Sequence, residues 1–295
     1  MSNSNTLFDN DFMERLEYLK LMATRMLPSR HRGEHRARKR GSGIELADYR
    51  PYVDGDDTRD VDWKAFLRLD KLVLRIFDEE ADLPVYLFVD RSASMAFGTP
   101  PKFDFARKMA GALSYIGLMN HDLISIVWYG RKIDGWMAPK RGRNQIFRAF
   151  RFLDAGDTGG ATSLAACFRT FFGSRRKRGL AVVLSDLMDE EDLLGAFDAC
   201  RYQKHDMFVV QVLTPEELDP ALPDEALLTD SEDGSERRVR VTPRLLDRYQ
   251  KALAEHQEKV EEYCSRYGFG FCVANSGEPF EDAVMAIFKT DRFIR

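Results

Sequence analysis

The feature that most constrains the fold is a succession of short, nearly uninterrupted apolar runs separated by stretches of helix length. LVLRIF at 72–77, VYLFV at 85–89, LISIVWY at 123–129, LAVVLS at 180–185, MFVVQVL at 207–213 and FGFCVA at 269–274 are candidate strands. Helical patterns fill the intervals near 103–118, 143–154, 163–173, 190–204, 242–266 and 279–289. Within 242–266, Leu246, Tyr249, Leu253, His256, Val260 and Tyr263 recur every three or four residues, which makes one apolar stripe and casts His256 as a packing residue. Apolar runs without polar alternation belong to strands buried on both faces, and their alternation with helices builds a mostly parallel sheet. The expected class is α/β: a three-layer, doubly wound, Rossmann-like sheet with an N-terminal extension.

That extension begins with Phe12, Leu16, Leu19, Ala23 and Met26, spaced by threes and fours, which predicts a short amphipathic helix ended by Pro28. A basic run, RHRGEHRARKR at 30–40, and a Gly41-Ser42-Gly43 break read as a solvated linker. Aspartates at 54, 56, 57, 60 and 62 are near enough in sequence to pair with it. The expected division is therefore 1–40 as helix and linker, 41–82 as a segment packing on the main domain, and 83–295 as that domain, with DEEADLP (78–84) a turn. Residues 214–236 hold nine acidic residues, no basic ones and three prolines, and predict an exposed loop running into a short RRVRV strand.

Charge and cysteine content narrow the function classes. Forty-four basic against 48 acidic residues give a net charge of −4, so nothing draws the whole chain to nucleic acid. The basic runs at 30–40 and 175–178 lack interleaved aromatics, and solvated charge is the expected reading rather than a nucleic-acid interface. Cys167, Cys200, Cys264 and Cys272 form no zinc or disulfide spacing. The longest uncharged, mostly apolar stretch, Met109–Met119, is far shorter than the roughly 20 residues that span a bilayer. With no signal-peptide pattern in MSNSNTLFDND, a cytoplasmic protein with reduced thiols is expected.

Chemistry concentrates where VYLFV runs into Asp90, Ser92 and Ser94. Oxygen donors at every second residue converge on one side if the extended geometry persists, and ligands of open α/β sheets bind at such strand ends. GDTGGATSL places Thr162 just before a helix, and VVLSD places Asp186 at the end of another apolar strand. Two carboxylates and three hydroxyls select a hard cation, Mg2+ or Mn2+, and leave it able to capture a carboxylate from a protein ligand.

A D-x-S-x-S after the first buried strand, a later Gly-Gly-x-Thr loop and a strand ending in Asp resemble the metal-ion-dependent adhesion site of von Willebrand factor type A domains. The matches are Asp90, Ser92, Ser94, Thr162 and Asp186, with Ala161 lengthening the loop by one residue. Upstream, GSGIELADYRPYVDGDDTRDVDW is similar to the hallmark of domain-of-unknown-function family fifty-eight, through Gly43, Glu45, Arg50, Tyr52, Gly55, Asp56, Asp57, Arg59, Asp62 and Trp63. This resemblance implies a von Willebrand A-like fold and partnership with a MoxR-type AAA+ ATPase. The expected function is a non-enzymatic, metal-dependent binding module or adaptor, with Asp56, Asp57, Arg59, Asp62 and Trp63 as a second partner surface. From the residues themselves the favoured reading of that segment is structural, a turn, a cap from Asp57 or Thr58, an Arg59–aspartate pair and a packed Trp63, with the partner surface as the alternative. A Mg2+-dependent phosphohydrolase with Asp90 as nucleophile is the enzymatic alternative. It lacks a general acid, because Ser92 stands where a second Asp is needed and no His, Cys or Lys lies near the motif.

Overall fold

The computed structural model describes residues 7–26, 36–41, 45–54, 56–174, 176–188, 193–232 and 234–289. Residues 30–35 of the basic run, Gly43, Gly55 and Arg175 lie outside them. The chain divides into two compact units, one of Met1–Ser29 with Pro84–Arg295, the other of Arg30–Leu83. The boundaries therefore fall at 30 and 84, and the N-terminal helix α1 (Asn10–Met26) belongs to the larger unit rather than forming a segment with the basic run.

The smaller unit is an antiparallel sheet of three strands, β1 (Arg36–Gly41), β2 (Glu45–Pro51) and β3 (Val73–Asp82), in the order β1-β3-β2, with helix α2 (Trp63–Leu69). This corrects two expectations. The basic residues from 36 onward are a strand, not a linker, and the acidic residues after LVLRIF continue that strand instead of turning. Register supplies the reason: Arg36, Arg38, Lys39 and Arg40 stand opposite Asp82, Glu80, Glu79 and Asp78. Opposite charges directly across an antiparallel pair stabilise it, and the register sets the basic positions of β1 against the acidic positions of β3.

In the larger unit, β4 (Val85–Asp90), α3 (Lys102–Met119), β5 (Ile124–Tyr129), β6 (Ile133–Lys140), α4 (Ile146–Asp154), α5 (Leu164–Gly173), β7 (Leu180–Ser185), α6 (Leu193–Tyr202) and β8 (Asp206–Leu213) follow in order. Then come α7 (Pro215–Leu218), β9 (Glu225–Thr229), β10 (Glu236–Arg240), α8 (Pro243–Tyr267), β11 (Gly270–Asn275) and α9 (Phe280–Lys289). Six strands form one sheet, β11-β8-β7-β4-β5-β6, parallel except for β6. Alternate side chains feed two cores. Leu87 and Val89 join residues of α1, α3, α4 and α9, while Tyr86 and Phe88 join residues of α5, α6 and α8. Phe12, Leu16 and Leu19 of α1 are fully buried, with the Phe12 ring 5.1 Å from Phe280 of α9.

Two strand pairings escaped the sequence pattern. β6 is an antiparallel edge strand holding Gly135 and Pro139, residues that edges tolerate. The acidic 214–236 segment is largely exposed as expected, but it folds into α7 and the β9–β10 hairpin.

Candidate metal centre

Asp90 is the last residue of β4 and Asp186 follows the last residue of β7, so neighbouring parallel strands deliver both carboxylates to one edge of the sheet. Both are buried, at 0% and 1% exposure. The Asp90 carboxylate accepts the Ser92 N–H at 2.8 Å and the Ser185 hydroxyl at 2.6 Å. Burial, and then the charge of Asp186, push its pKa up to about 7. Tyr129, on the adjoining strand, is buried beside it, and burial raises its pKa, with the Asp90 charge adding to the effect.

After β4 the chain turns into a short 3-10 helix over Ala93–Ala96, which brings the Ser92 and Ser94 hydroxyls to 3.0 Å from each other. The loop bearing Thr162 is tied across them: Gly159 N–H donates to Arg91 O and Ala93 N–H to Gly160 O, both at 2.8 Å, while Ser163 N–H donates to Gly130 O at 3.0 Å. Gly160 makes this turn with φ of 73°, a conformation glycine adopts without strain. The Thr162 hydroxyl is buried and has no hydrogen-bond partner among the described residues. Thr162 and Ser94 line the same recess. The five residues read from the sequence thus gather at one sheet edge.

Lys102, which the sequence pattern did not single out, belongs with them. It opens α3 at 1% exposure, and its ammonium donates to Asp186 Oδ2 at 2.8 Å and Glu217 Oε1 at 2.6 Å. Glu217 also closes a capping box on α7 with Thr214. Behind Asp186, the Gln211 side chain donates to its carbonyl at 3.0 Å, and Gln257 of α8 donates to Gln211 at 3.2 Å. Leu187 adopts φ of 57°, held by its N–H bond to Ser185 Oγ at 3.0 Å. A lone Lys at the head of an apolar helix carries no motif; only the fold brings it 84 residues back to Asp186.

The donors fit a hard dication in three respects. All are oxygen, which suits Mg2+ or Mn2+. The 3.0 Å between the serine hydroxyls equals the edge of an octahedron with bonds of about 2.1 Å. Charge also closes: Lys102 offsets Glu217, and the Asp90 and Asp186 carboxylates then match two positive charges. Among the described residues no group of three or more His, Cys, Asp and Glu that could hold a metal ion occurs.

The segment at 56–63 lies in the smaller unit. Asp56 accepts the Val53 N–H at 2.9 Å; Asp57 caps the 3-10 turn of Thr58–Asp60 and pairs with Arg59 at 2.7 Å, which pulls its pKa down to about 2. Asp62 caps α2 through Lys64 and Ala65. Capping and pairing account for Asp57 and Asp62, but Trp63 does not pack as that reading requires: it is 56% exposed, with an edge-on contact to Phe66 at 6.3 Å. Of the second basic run, Arg176 stacks over Trp136 at 3.9 Å and Arg178 pairs with Asp206 at 3.4 Å. Among the described residues, no helix is long and apolar enough to cross a membrane.

Comparison with known proteins places the chain among uncharacterised relatives. Uncharacterized protein Mb1516 of Mycobacterium bovis is 27% identical over 252 residues, covering 83% of this chain and 78% of that protein. Uncharacterized protein Rv1480 of Mycobacterium tuberculosis matches to the same extent. The crystal structure of conserved hypothetical protein BatB from Bacteroides thetaiotaomicron aligns with a TM-score of 0.44 at 13% identity, over 70% of this chain and 96% of that one. The family described as "Protein of unknown function DUF58" matches residues 48–259, most of both units, and the chain belongs to it.

Proposed function

We propose that the protein is a non-enzymatic, metal-dependent protein-binding module on a three-layer, doubly wound, von Willebrand A-like domain, and that it serves as adaptor for a MoxR-type AAA+ ATPase. The observation that carries the reading is the buried pairing of Asp90 with Asp186 beside the unpartnered Thr162 hydroxyl and the closely spaced Ser92 and Ser94 hydroxyls. Asp90, Ser92, Ser94, Thr162 and Asp186 would hold Mg2+ or Mn2+, directly or through water. The bound ion supplies a Lewis-acidic position that a carboxylate of the partner can fill. The chain's own residues do the rest: Ser185 and the Ser92 amide orient Asp90, and Lys102 and Gln211 fix Asp186. The choice of ATPase rests on the resemblance to the family's hallmark segment.

The enzymatic alternative gains one observation from Lys102, a buried ammonium beside the carboxylates. Yet its bonds go to Asp186 and Glu217 and hold it as a fixed counter-ion rather than as a proton donor to a leaving group.

Titration calorimetry with Mg2+ and Mn2+ on the protein and on Asp90→Ala tests the metal. Binding in the former and its loss in the latter, with the fold retained, is expected. Equal affinity in both would move the metal elsewhere. Pull-down of the co-expressed ATPase, with and without chelator, tests the partner. Loss with chelator and with Asp90→Ala supports metal-mediated docking, whereas loss only on altering Asp57 and Trp63 moves the contact to the smaller unit. Phosphatase activity that requires Asp90 would favour the hydrolase instead.

A further inference from the structure

The β9–β10 hairpin stands outside the central sheet as a two-stranded sheet of its own. Among its paired residues Ala226 and Val239 are half-buried, and all the others are exposed. Two strands alone are marginally stable in water, and each outer edge is a row of backbone groups able to pair with a further strand. Hydrogen bonds at the two ends of the hairpin fix which residues form those rows: Asp230 N–H donates to Ser235 O at 2.8 Å, and Val241 N–H to Asp224 O at 2.7 Å. Bonded and non-bonded pairs alternate along an antiparallel ladder, so Ala226 and Leu228 exchange bonds with Val239 and Arg237, while Glu225, Leu227 and Thr229 turn their N–H and C=O groups outward. On β10 the outward residues are Glu236, Arg238 and Arg240. The two edges therefore differ in protection. A charged side chain sits at every outward position of β10, which guards that edge against pairing. The middle of the β9 edge is instead Leu227, 54% exposed, with Leu228 beside it at 45%.

We propose that β9 is a self-association edge, to which a second copy of this chain adds its own β9 antiparallel about a twofold axis through Leu227, making one four-stranded sheet. In this register Leu227 faces the partner's Leu227, and Glu225 faces the partner's Thr229. All the outward residues of both strands are then matched, and each matched pair exchanges two N–H···O bonds. At none of the five positions of β9 do like charges face each other, and Glu225 already has Arg240 opposite it within its own hairpin. Self-pairing of β10 about Arg238 would instead set two arginines directly opposite, which is unfavourable. The match also limits itself, because the next position would set Asp224 against the partner's Asp230. An isologous contact of this kind closes at two copies. So short an edge buries well under the roughly 800 Å2 per partner of a standard interface, so the dimer is weak, with a Kd on the order of 10 to 100 µM. The inference is independent of the metal-dependent reading above.

The test is sedimentation velocity of the full chain in chelator, over concentrations that span this Kd, together with residue-resolved amide exchange. A reversible monomer–dimer equilibrium is expected. Exchange should slow at Glu225, Leu227 and Thr229 as concentration rises, with little change at Ala226 and Leu228, whose N–H groups already face β10. Leu227→Lys and Leu227→Glu each put like charges on the axis and should weaken association about tenfold, while an equal mixture of the two should regain it, because Lys then faces Glu. A chain that stays monomeric at every concentration would overturn the proposal. So would a dimer that forms with unchanged affinity in both variants, or one that slows exchange elsewhere but not at the β9 edge. Weakened association in each variant with no recovery in the mixture would overturn the twofold register. Should a variant fail to fold, the exchange pattern of the unaltered chain still decides.

Discussion

At the residue scale the centre is governed by how buried charges are paired. Lys102 is held between Asp186 and Glu217, and removing it leaves two carboxylates facing each other without a counter-ion. Lys102→Met should cost about 3 kcal/mol of stability in metal-free buffer, read by urea denaturation. Adding Glu217→Gln should cost less than the two changes taken singly, with an interaction energy of about 1 to 3 kcal/mol, and simple additivity would show that the two groups act independently. A second buried group lies at the other end of the sheet. His205, 3% exposed, accepts the Gly179 N–H on Nδ1 at 3.2 Å and packs 4.3 Å from the Phe172 ring. Burial lowers its pKa from 6.5 to about 4. The folded state therefore prefers neutral imidazole, so the contribution is complete above pH 6.5 and is lost as pH falls from there towards 4, by up to about 3 kcal/mol. His205→Gln should flatten that part of the stability–pH curve, and a curve of unchanged slope would remove His205 as its cause. The five oxygen donors were legible because each follows a recognisable strand or precedes a helix; Lys102 and Glu217 were not, because their chemistry exists only once α3 and α7 are folded against β7.

At the scale of elements, the parallel strands and their helices were legible because apolar runs and threefold-to-fourfold spacing survive in any tertiary setting. What misled was context. LVLRIF looks like the other buried runs, yet the acidic residues after it continue the strand, in a register that sets them opposite the basic positions of β1. Close backbone approach is likewise invisible until the strands are placed. A Cβ at Gly179 would lie 2.0 Å from Pro84 O, a backbone atom where β7 begins beside β4. Gly179→Ala should therefore destabilise by about 2 to 3 kcal/mol, whereas Gly173→Ala, which meets nothing within 4 Å at the end of α5, should be neutral or slightly stabilising. Thermal unfolding of the two variants decides it, and equal melting temperatures would contradict the crowding at Gly179.

At the scale of the whole molecule, the two units rest on different forces. The larger is built on two apolar cores, while the β1–β3 pairing of the smaller sets a basic strand against an acidic one. Raising salt from low to molar concentration should speed amide exchange across 36–41 well before it affects β4 or β7, because screening weakens attraction between oppositely charged positions and leaves apolar burial intact. Exchange of 36–41 that ignores salt would show that backbone pairing alone holds β1. The larger unit is also discontinuous: α1 lies ahead of the smaller unit, but the face it covers includes α9, the last described helix. During synthesis α1 must wait for α9, on the order of tens of seconds at ribosomal rates. Until then Phe12, Leu16 and Leu19 have only part of their burial partners, so a chain that stops before α9 leaves apolar surface of α1 uncovered.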